Sequence, residues 1–200
     1  MPDTDFPSTS SVAFVPYVNL LLTYLPRQDG QEVHLSYYRR KKWRCNMAAS
    51  IQTEEPIFTI GYEKSTIDDF VNRLADADID VLVDVRELPL SRKRGFSKNG
   101  LHAAVKEAGI DYLHVKALGD PKPGREAARA GNHDRFVEIF TQHMDGEDAQ
   151  SALAELAEAV KGKRICLTCF ERHHEGCHRK IVAERLSAIV GAPIEHIAVN

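Results

Sequence analysis

The sequence has few cysteines and little net charge, and each shortage excludes a class of protein. Its 200 residues include 4 Cys and 1 Trp, and 26 basic against 29 acidic residues give a formal net charge of −3. Four Cys are too few for a disulfide scaffold, so we expect reduced thiols in a cytoplasmic protein. The near balance of charge argues against a nucleic-acid coat protein or a basic helix on a membrane surface.

Long apolar runs are also missing, which argues against a membrane protein. The longest apolar stretch, residues 12–25, is interrupted by Pro16 and Asn19. It is shorter than the ~20 residues that a membrane-spanning helix requires. Asp3 and Asp5 stand where a secretory signal would be positively charged.

Residues 1–55 lack the periodicity of a helix or a strand, and we expect a poorly ordered N-terminal extension. Residues 1–46 carry a formal charge of +2 and the remainder −5, with a basic run at 37–44. That run has the composition of a nucleic-acid or localisation patch. A second interpretation is that Met47 is the true start of the protein and that the preceding residues are an over-long reading frame.

Apolar, β-branched runs alternate with helical patterns from residue 57 onward. Because parallel strands must be joined by crossovers, this alternation predicts a three-layer α/β domain over residues 56–200. We expect a mostly parallel sheet of about five strands with helices on both faces. Strands are predicted at 57–62, 81–86, 112–118, 164–170 and 194–199, and a long polar loop at 119–131.

The chemistry-bearing residues of the sequence follow the predicted strands. Ligands of open parallel sheets bind beyond the carboxyl ends of the strands, so these side chains are expected to converge at one edge. We predict catalytic roles for Asp84, Cys169, Glu171 and His178. We predict anion or substrate binding by Gly61, Tyr62, Ser65, Arg86, Ser91, Arg92, His114 and Arg179.

The segment 86–98 favours an anion site, because it contains five basic residues and one acidic residue. Guanidinium groups, backbone N–H groups and a helix N-terminus together bind phosphate, a nucleotide or a nucleic-acid backbone. Ser97 is placed to cap the next helix. Arg179 lies in a first helical turn, where a cation opposes the helix dipole, and this predicts that it meets an incoming anion. The alternative for segment 86–98 is a solvated basic loop.

Two of the predicted catalytic residues have equally simple structural explanations. Cys169 ends a strand near a helix N-terminus and near His178 and Arg179, an environment that activates a thiol. It would also suit a buried structural cysteine. Asp84 and Arg86 are two apart on a strand and therefore share one face of the sheet, where they would bind a polar substrate or form a buried ion pair.

Cysteine and histidine spacing raises the question of a metal. Cys166 and Cys169 have the C-x-x-C spacing, but residues three apart on a strand point to opposite faces of the sheet. A more compact set around the following turn is Cys169, His173, Cys177 and His178. The sequence otherwise leaves the cofactor unknown.

Seven short matches within residues 56–199 resemble the domain-of-unknown-function 488 family. They are 59–63 (TIGYE), 82–86 (LVDVR), 91–93 (SRK), 95–98 (GFSK), 112–114 (YLH), 118–119 (LG), and 169–171 (CFE) with 177–179 (CHR). The chain departs from many members at Tyr62–Glu63 and in the turn containing His173. The resemblance implies an α/β domain, an enzymatic activity without a defined reaction, and a link to DNA repair.

Three functions remain open from the sequence. The first is a small enzyme that acts on a phosphate-bearing substrate, a nucleotide or nucleic acid, at the carboxyl edge of the sheet. The second is a non-catalytic module that binds nucleic acid or a partner there. The third is sulfur transfer through Cys169, since the Asp-Val-Arg after a hydrophobic strand also resembles rhodanese-like domains. No membrane partner is expected, and the oligomeric state is open.

Overall fold

The structure, a computed structural model, describes residues 55–199. The basic run at 37–44, the alternative start Met47 and nearly all of the predicted extension lie outside the described residues. Of the helices within the described range, none is long and apolar enough to cross a membrane.

Helices and strands alternate along the described chain. The strands are β1 (Ile57–Gly61), β2 (Val81–Asp84), β3 (Asp111–His114), β4 (Ile165–Cys169) and β5 (Ile194–Ile197). The helices are α1 (Ile67–Asp76), α2 (Lys98–Glu107), α3 (Lys122–Arg129), α4 (His133–Met144), α5 (Glu147–Ala159) and α6 (His178–Val190), with a short 3-10 helix at Lys116–Leu118.

The five strands form one parallel sheet in the order β3-β2-β4-β1-β5. The register places Gly61 beside Cys169, and Asp84 beside both Thr168 and His114. The three central strands are buried throughout, whereas β3 and β5 at the edges are partly exposed. The predicted parallel five-stranded sheet is thus confirmed.

Separate apolar cores cover the two faces of the sheet. On one face Phe70 and Leu74 of α1 pack with Leu101 of α2 and with Cys166 of β4. On the other face residues of α4, α5 and α6 pack against Leu167 and the alternate residues of β2. Burial of these two faces by helices confirms the predicted three-layer architecture.

The sheet has a topological switch point between β1 and β4. These strands are neighbours, yet α1, which follows β1, lies on one face and α6, which follows β4, lies on the other. The two connections therefore diverge at the carboxyl ends of the strands. Such a divergence opens a crevice in which ligands of α/β sheets bind.

Several predicted boundaries were wrong, each for a local physical reason. The predicted strand 81–86 ends at Asp84, where the side chain accepts a hydrogen bond from the Arg86 N–H at 3.1 Å and turns the chain. The predicted strand 112–118 ends at His114, and the 3-10 helix that follows buries Leu118 in the core.

The predicted polar loop 119–131 contains α3. Pro123 lies in the first turn of this helix, where its missing N–H has no helical partner to lose. Proline and glycine near the start of α3 therefore gave a misleading loop signal.

Side chains cap α1 and α4, whereas the cap predicted for α2 does not form. Thr66 and Asn132 each accept a backbone N–H at 3.1 Å. Ser97 stands at the N-cap of α2 without a capping hydrogen bond, and its Oγ donates to the Ser91 carbonyl at 3.0 Å. Ser97 therefore ties together the ends of the basic loop.

Candidate active site

An open cavity of about 760 Å³ lies at the switch point, which we call the carboxyl-edge cavity. Its lining comes from the segments after β1, β2 and β4 and from α3, including Tyr62, Arg86, Glu171 and Asp120. A second cavity of about 590 Å³ contacts Ile57 and Ile165 at the starts of β1 and β4, and thus lies at the opposite edge of the sheet. The polar residues predicted to be functional gather around the carboxyl-edge cavity.

Asp84 and Arg86 form a buried ion pair. The Arg86 Nε donates to Asp84 Oδ1 at 2.8 Å, and Nη2 donates to Oδ2 at 2.6 Å. Tyr112 donates its hydroxyl to the same Oδ2 at 2.6 Å. Burial alone would lower the pKa of Arg86, but the hydrogen bond and charge of Asp84 outweigh burial and raise it. Asp84 lies beneath the cavity with both oxygens engaged, so the geometry favours the structural explanation of this pair.

Several predicted binding residues hold Arg86 and its neighbours in place. Arg86 Nη1 donates to the Tyr62 hydroxyl at 2.8 Å, and the Tyr62 ring stacks on Phe96 at 4.5 Å between centroids. Ser65 donates its hydroxyl to the Tyr62 carbonyl at 2.9 Å. His114 Nε2 lies 2.8 Å from the Arg86 carbonyl oxygen. These contacts fix the cavity wall, of which Tyr62 and Arg86 form part.

Arg179 and Gly61 position the loop between β4 and α6. Arg179 is 2 % exposed and donates to the carbonyl oxygens of Glu171 and of Arg172, the latter at 3.0 Å. A Cβ at Gly61 would lie 1.8 Å from the Glu171 carbonyl oxygen, so only glycine lets the loop approach. Arg179 therefore donates to this loop and to Thr59 and Cys169 in the strands, and the geometry gives no support to the predicted encounter with an incoming anion.

The thiol of Cys169 lies under the cavity floor. Cys169 is 0 % exposed, and its Sγ donates to Glu171 Oε2 at 3.1 Å while accepting from Arg179 Nη1 at 3.1 Å. The Cys177 thiol donates to the same Oε2 at 3.2 Å. Burial raises the pKa of Cys177. The structure thus brings the predicted nucleophile beside a cation but covers it with Glu171.

Glu171 and His178 connect this buried group to the cavity. Burial alone would raise the pKa of Glu171, but the hydrogen bond from Cys169 and further donors hold it below its ordinary value. His178 lies with Nε2 2.9 Å from the Val85 carbonyl oxygen and Nδ1 3.8 Å from Cys177 Sγ. Burial lowers the pKa of His178. Both residues line the carboxyl-edge cavity as well.

The potential metal ligands differ in one member from the set suggested by spacing. Ligand atoms of Cys169, Glu171, Cys177 and His178 lie within 4.8 Å of one another. The observed set contains Glu171, whereas the set suggested by spacing contained His173. Cys166, as expected for a residue three positions earlier on a strand, lies on the other face among the α1–α2 core.

Asp120 is a site residue that the sequence analysis missed. It lines the cavity, is 7 % exposed, and its Oδ1 has no hydrogen-bond partner within residues 55–199. Its pKa is raised to about 7: burial is the largest cause, the charge of Arg125 opposes the rise, and the charges of Glu171 and Glu87 contribute to it. The available sequence signal was an Asp at a helix start with glycine four residues later, at Gly124.

Two arginines present unpaired cationic groups to the cavity. Arg92 and Arg129 line it, and their guanidinium groups form no hydrogen bond or ion pair with any part of the chain that the structure describes. By contrast, Arg125 pairs with Glu87 and donates to the Asp120 carbonyl oxygen at 2.5 Å. Ser91, another lining residue, accepts the Lys93 N–H at 3.1 Å and so shapes the basic loop.

Apolar side chains complete the wall of the cavity. Leu88, Leu90 and Phe170 line it and are exposed, Leu90 to 76 %. Exposed apolar groups beside convergent polar groups in a concave site are typical of ligand-binding surfaces.

The family model for the domain of unknown function DUF488 matches residues 66–186. The chain belongs to the DUF488 family. The family resemblance seen in the sequence is thus confirmed. Comparisons with curated proteins and with solved structures give no match.

The DUF488 match contains most of the site but not all of it. Asp84, Arg86, Asp120 and the β4–α6 loop lie inside the matched residues. Gly61, Tyr62 and Ser65 precede them, although Gly61 contacts the backbone of Glu171 directly. The site of this DUF488 domain therefore extends into β1.

Proposed function

We propose that this DUF488 domain is an enzyme that binds a phosphate-bearing substrate, a nucleotide or a short stretch of nucleic acid, in the carboxyl-edge cavity. Asp120 serves as its proton donor or acceptor. The observation that carries this proposal is Asp120, a residue of the cavity wall whose carboxyl oxygen Oδ1 is buried without a hydrogen-bond partner in the described residues.

The environment of Asp120 favours catalysis over binding alone. A carboxyl with a pKa of about 7 exchanges its proton readily at neutral pH, which suits general acid–base chemistry. Keeping such a group out of water lowers the stability of the fold. A module that only binds ligands has no use for a carboxyl group with a raised pKa. A catalyst does, because that carboxyl group can donate and accept a proton at neutral pH.

The charge around the cavity favours a phosphate group. Five cationic residues line it against three carboxylates, and two of the cations, Arg92 and Arg129, are unpaired in the described structure. Arginine binds phosphate oxygens in bidentate fashion. Because residues 47–200 carry a formal charge of −5, a local phosphate or short strand fits better than extended duplex.

The apolar wall supplies the second half of a nucleotide site. Phe170 contacts the Tyr62 ring edge to face at 5.4 Å between centroids, which fixes its position while leaving it 46 % exposed. An exposed aromatic ring held in this way offers a stacking surface for a base. Sulfur transfer remains a prediction without such support, because Cys169 is covered.

The test uses the full chain with nucleoside mono-, di- and triphosphates and a short single-stranded oligonucleotide. Products are separated chromatographically, and binding is measured by calorimetry. We expect Asp120→Asn to retain binding and to lower turnover by about 10²- to 10⁴-fold, the usual contribution of a general acid–base group.

Arg92→Ala and Arg129→Ala test the phosphate half of the proposal. Each should weaken binding of the same ligands, whereas Arg94→Ala should not, because Arg94 is exposed and does not line the cavity. Binding without turnover by the wild-type protein would identify a binding module instead. Failure of every ligand to bind would contradict the proposal as a whole.

A further inference from the structure

Four side chains beneath the carboxyl-edge cavity form what we call the thiolate cluster: Cys169, Glu171, Cys177 and His178. One ligand atom from each lies within 4.8 Å of every other. They form two pairs from separate segments, one at the end of β4 and one at the start of α6. Structural zinc sites are built from such pairs of thiolate, imidazole and carboxylate ligands.

The distances within the thiolate cluster are close to those of a tetrahedral site. Bond lengths of about 2.0–2.3 Å to zinc at tetrahedral angles separate neighbouring ligand atoms by roughly 3.3–3.8 Å. The two thiols lie 3.1 and 3.2 Å from Glu171 Oε2, and His178 Nδ1 lies 3.8 Å from Cys177 Sγ. The widest separation between ligand atoms, up to 4.8 Å, would shorten by about 1 Å as the side chains close on the ion.

The orientation of His178 is already that of a metal ligand. Its Nε2 lies 2.9 Å from the Val85 carbonyl oxygen, an acceptor only, so Nε2 carries the hydrogen. The Nδ1 lone pair of the neutral ring then faces the thiolate cluster. At zinc sites, a histidine that binds the metal through one ring nitrogen usually donates the N–H of the other to an acceptor such as a backbone carbonyl. The ring is further held by an edge contact with Phe140 at 5.5 Å.

Arg179 balances the charge of an occupied site. Two thiolates and the Glu171 carboxylate carry three negative charges, which a divalent cation and one guanidinium neutralise. The Arg179 Nη1 lies 3.1 Å from Cys169 Sγ and on the loop side of the cluster. Its position next to a thiolate sulfur explains a buried arginine that has no carboxylate partner in the described structure.

We propose that the thiolate cluster binds one zinc ion as a structural site. Four protein ligands close the coordination shell, which leaves no position for substrate or water. The ion would fix the β4–α6 loop and thereby the Glu171 and His178 side chains that line the cavity. This proposal does not depend on the proposed function, because it concerns the loop and not Asp120.

The test measures metal content of the full chain. The protein is stripped with a chelator under reductant, reconstituted with zinc, desalted and analysed by elemental mass spectrometry. We expect about one zinc per chain, as for other closed four-ligand sites. Cobalt reconstitution should give the thiolate-to-metal charge-transfer band and the intense visible absorption of tetrahedral cobalt.

Matched variants separate the thiolate cluster from other ligands. Cys177→Ser and His178→Asn should lose the bound zinc, whereas Cys166→Ala removes a buried thiol on the opposite face and should keep it. His173→Asn changes a nearby histidine outside the cluster and should also keep it. Asp120→Asn should retain zinc even if it abolishes turnover.

The wild-type measurement decides the proposal even if the ligand variants fail to fold. Reconstituted wild-type protein that holds no zinc, or a cobalt form that lacks the charge-transfer band, overturns it. Loss of zinc from the His173→Asn variant, or full retention by a folded Cys177→Ser variant, overturns the ligand assignment. A Cys169–Cys177 disulfide in the protein purified under reductant would also overturn the ligand assignment.

Discussion

A Cβ added to Gly124 would lie 2.0 Å from Oδ1 of Asp120. The first turn of α3 therefore closes against this carboxyl only because residue 124 has no side chain. The close approach keeps water from Oδ1 and leaves it without a partner in the described structure. Exclusion of water is the main cause of the raised pKa of Asp120.

Substitution of Gly124 by alanine should therefore reverse the usual effect of this change in a helix. Elsewhere Gly→Ala in a helix stabilises by about 0.5–1 kcal/mol. Here we expect a loss of about 1–3 kcal/mol, because the methyl group overlaps a buried side chain. Urea unfolding measures the change. Gly176→Ala, where a Cβ meets nothing within 4 Å, is the control and should leave stability nearly unchanged. Equal stability of both variants would contradict the packing argument.

The Asp84–Arg86 pair should behave as part of the framework. Arg86→Lys keeps the charge but loses the bidentate contact and the donors to Tyr62 and the Phe96 carbonyl. We expect a loss of about 1.5–3 kcal/mol in unfolding free energy, the usual contribution of a hydrogen bond to a charged group. Arg94→Lys, at an exposed position, should change it by less than about 0.5 kcal/mol. An Arg86→Lys variant of wild-type stability would place this arginine among ligand-binding groups instead.

Two threonines in neighbouring strands should respond oppositely to the same change. Thr168 Oγ1 is buried without a hydrogen-bond partner in the described residues, whereas Thr59 Oγ1 lies 2.7 Å from His196 Nδ1 and accepts from Arg179. Thr168→Val should stabilise the fold by about 1–2 kcal/mol by removing an unsatisfied hydroxyl. Thr59→Val should destabilise it by a similar amount, about 1–3 kcal/mol. Thermal or urea unfolding compares them, and a destabilised Thr168→Val variant would reveal a partner for that hydroxyl.

Much of the fold was accessible from the sequence because its signals are local. Buried parallel strands such as β1 and β4 appear as continuous apolar runs, and Thr66 marks the start of α1 through a contact three residues away. The crossover rule then gives the sheet type and the edge at which ligands bind. Where α3 begins could not be predicted, since the same prolines and glycine are typical of loops.

The location of the site could be predicted from the sequence. Which of its polar residues face the cavity, and which bond to other parts of the protein, could not. Whether a polar residue faces the cavity depends on partners far away in sequence: Arg86 is engaged by Tyr62, and Arg179 by Thr59. In these contacts the arginine N–H groups that were predicted to bind anions donate to other side chains of the protein. Asp120 was missed for the same reason. Its raised pKa comes mainly from burial against α3, which no sequence motif indicates.

The buried Asp120 carboxyl should make stability depend on pH. Its pKa is about 7 in the folded chain against an ordinary 3.8. The folded state therefore holds more protons than the unfolded state between these values, and stability falls as pH rises through this window. The difference amounts to about 4 kcal/mol. Asp120→Asn should match the wild type at pH 4 and exceed its unfolding free energy by up to that amount at pH 8.

The pH dependence is measured by urea unfolding of both proteins across this range. Comparison at equal pH cancels the titration of groups that the substitution does not affect. An Asp120→Asn variant that is less stable than the wild type at pH 8 would mean that the ionised carboxyl has a partner in the folded protein.

The protonation state of Asp120 can be measured directly. Carbon-13 NMR of the aspartate carboxyl groups, recorded from pH 3 to pH 9 and assigned with the Asp120→Asn variant, follows the titration of this one group. We expect a midpoint near 7, because burial is the largest of the causes that raise the pKa of Asp120 to about that value. A midpoint close to 4, the ordinary value of about 3.9 for an aspartate in water, would contradict the assignment of Asp120 as the proton-transfer group.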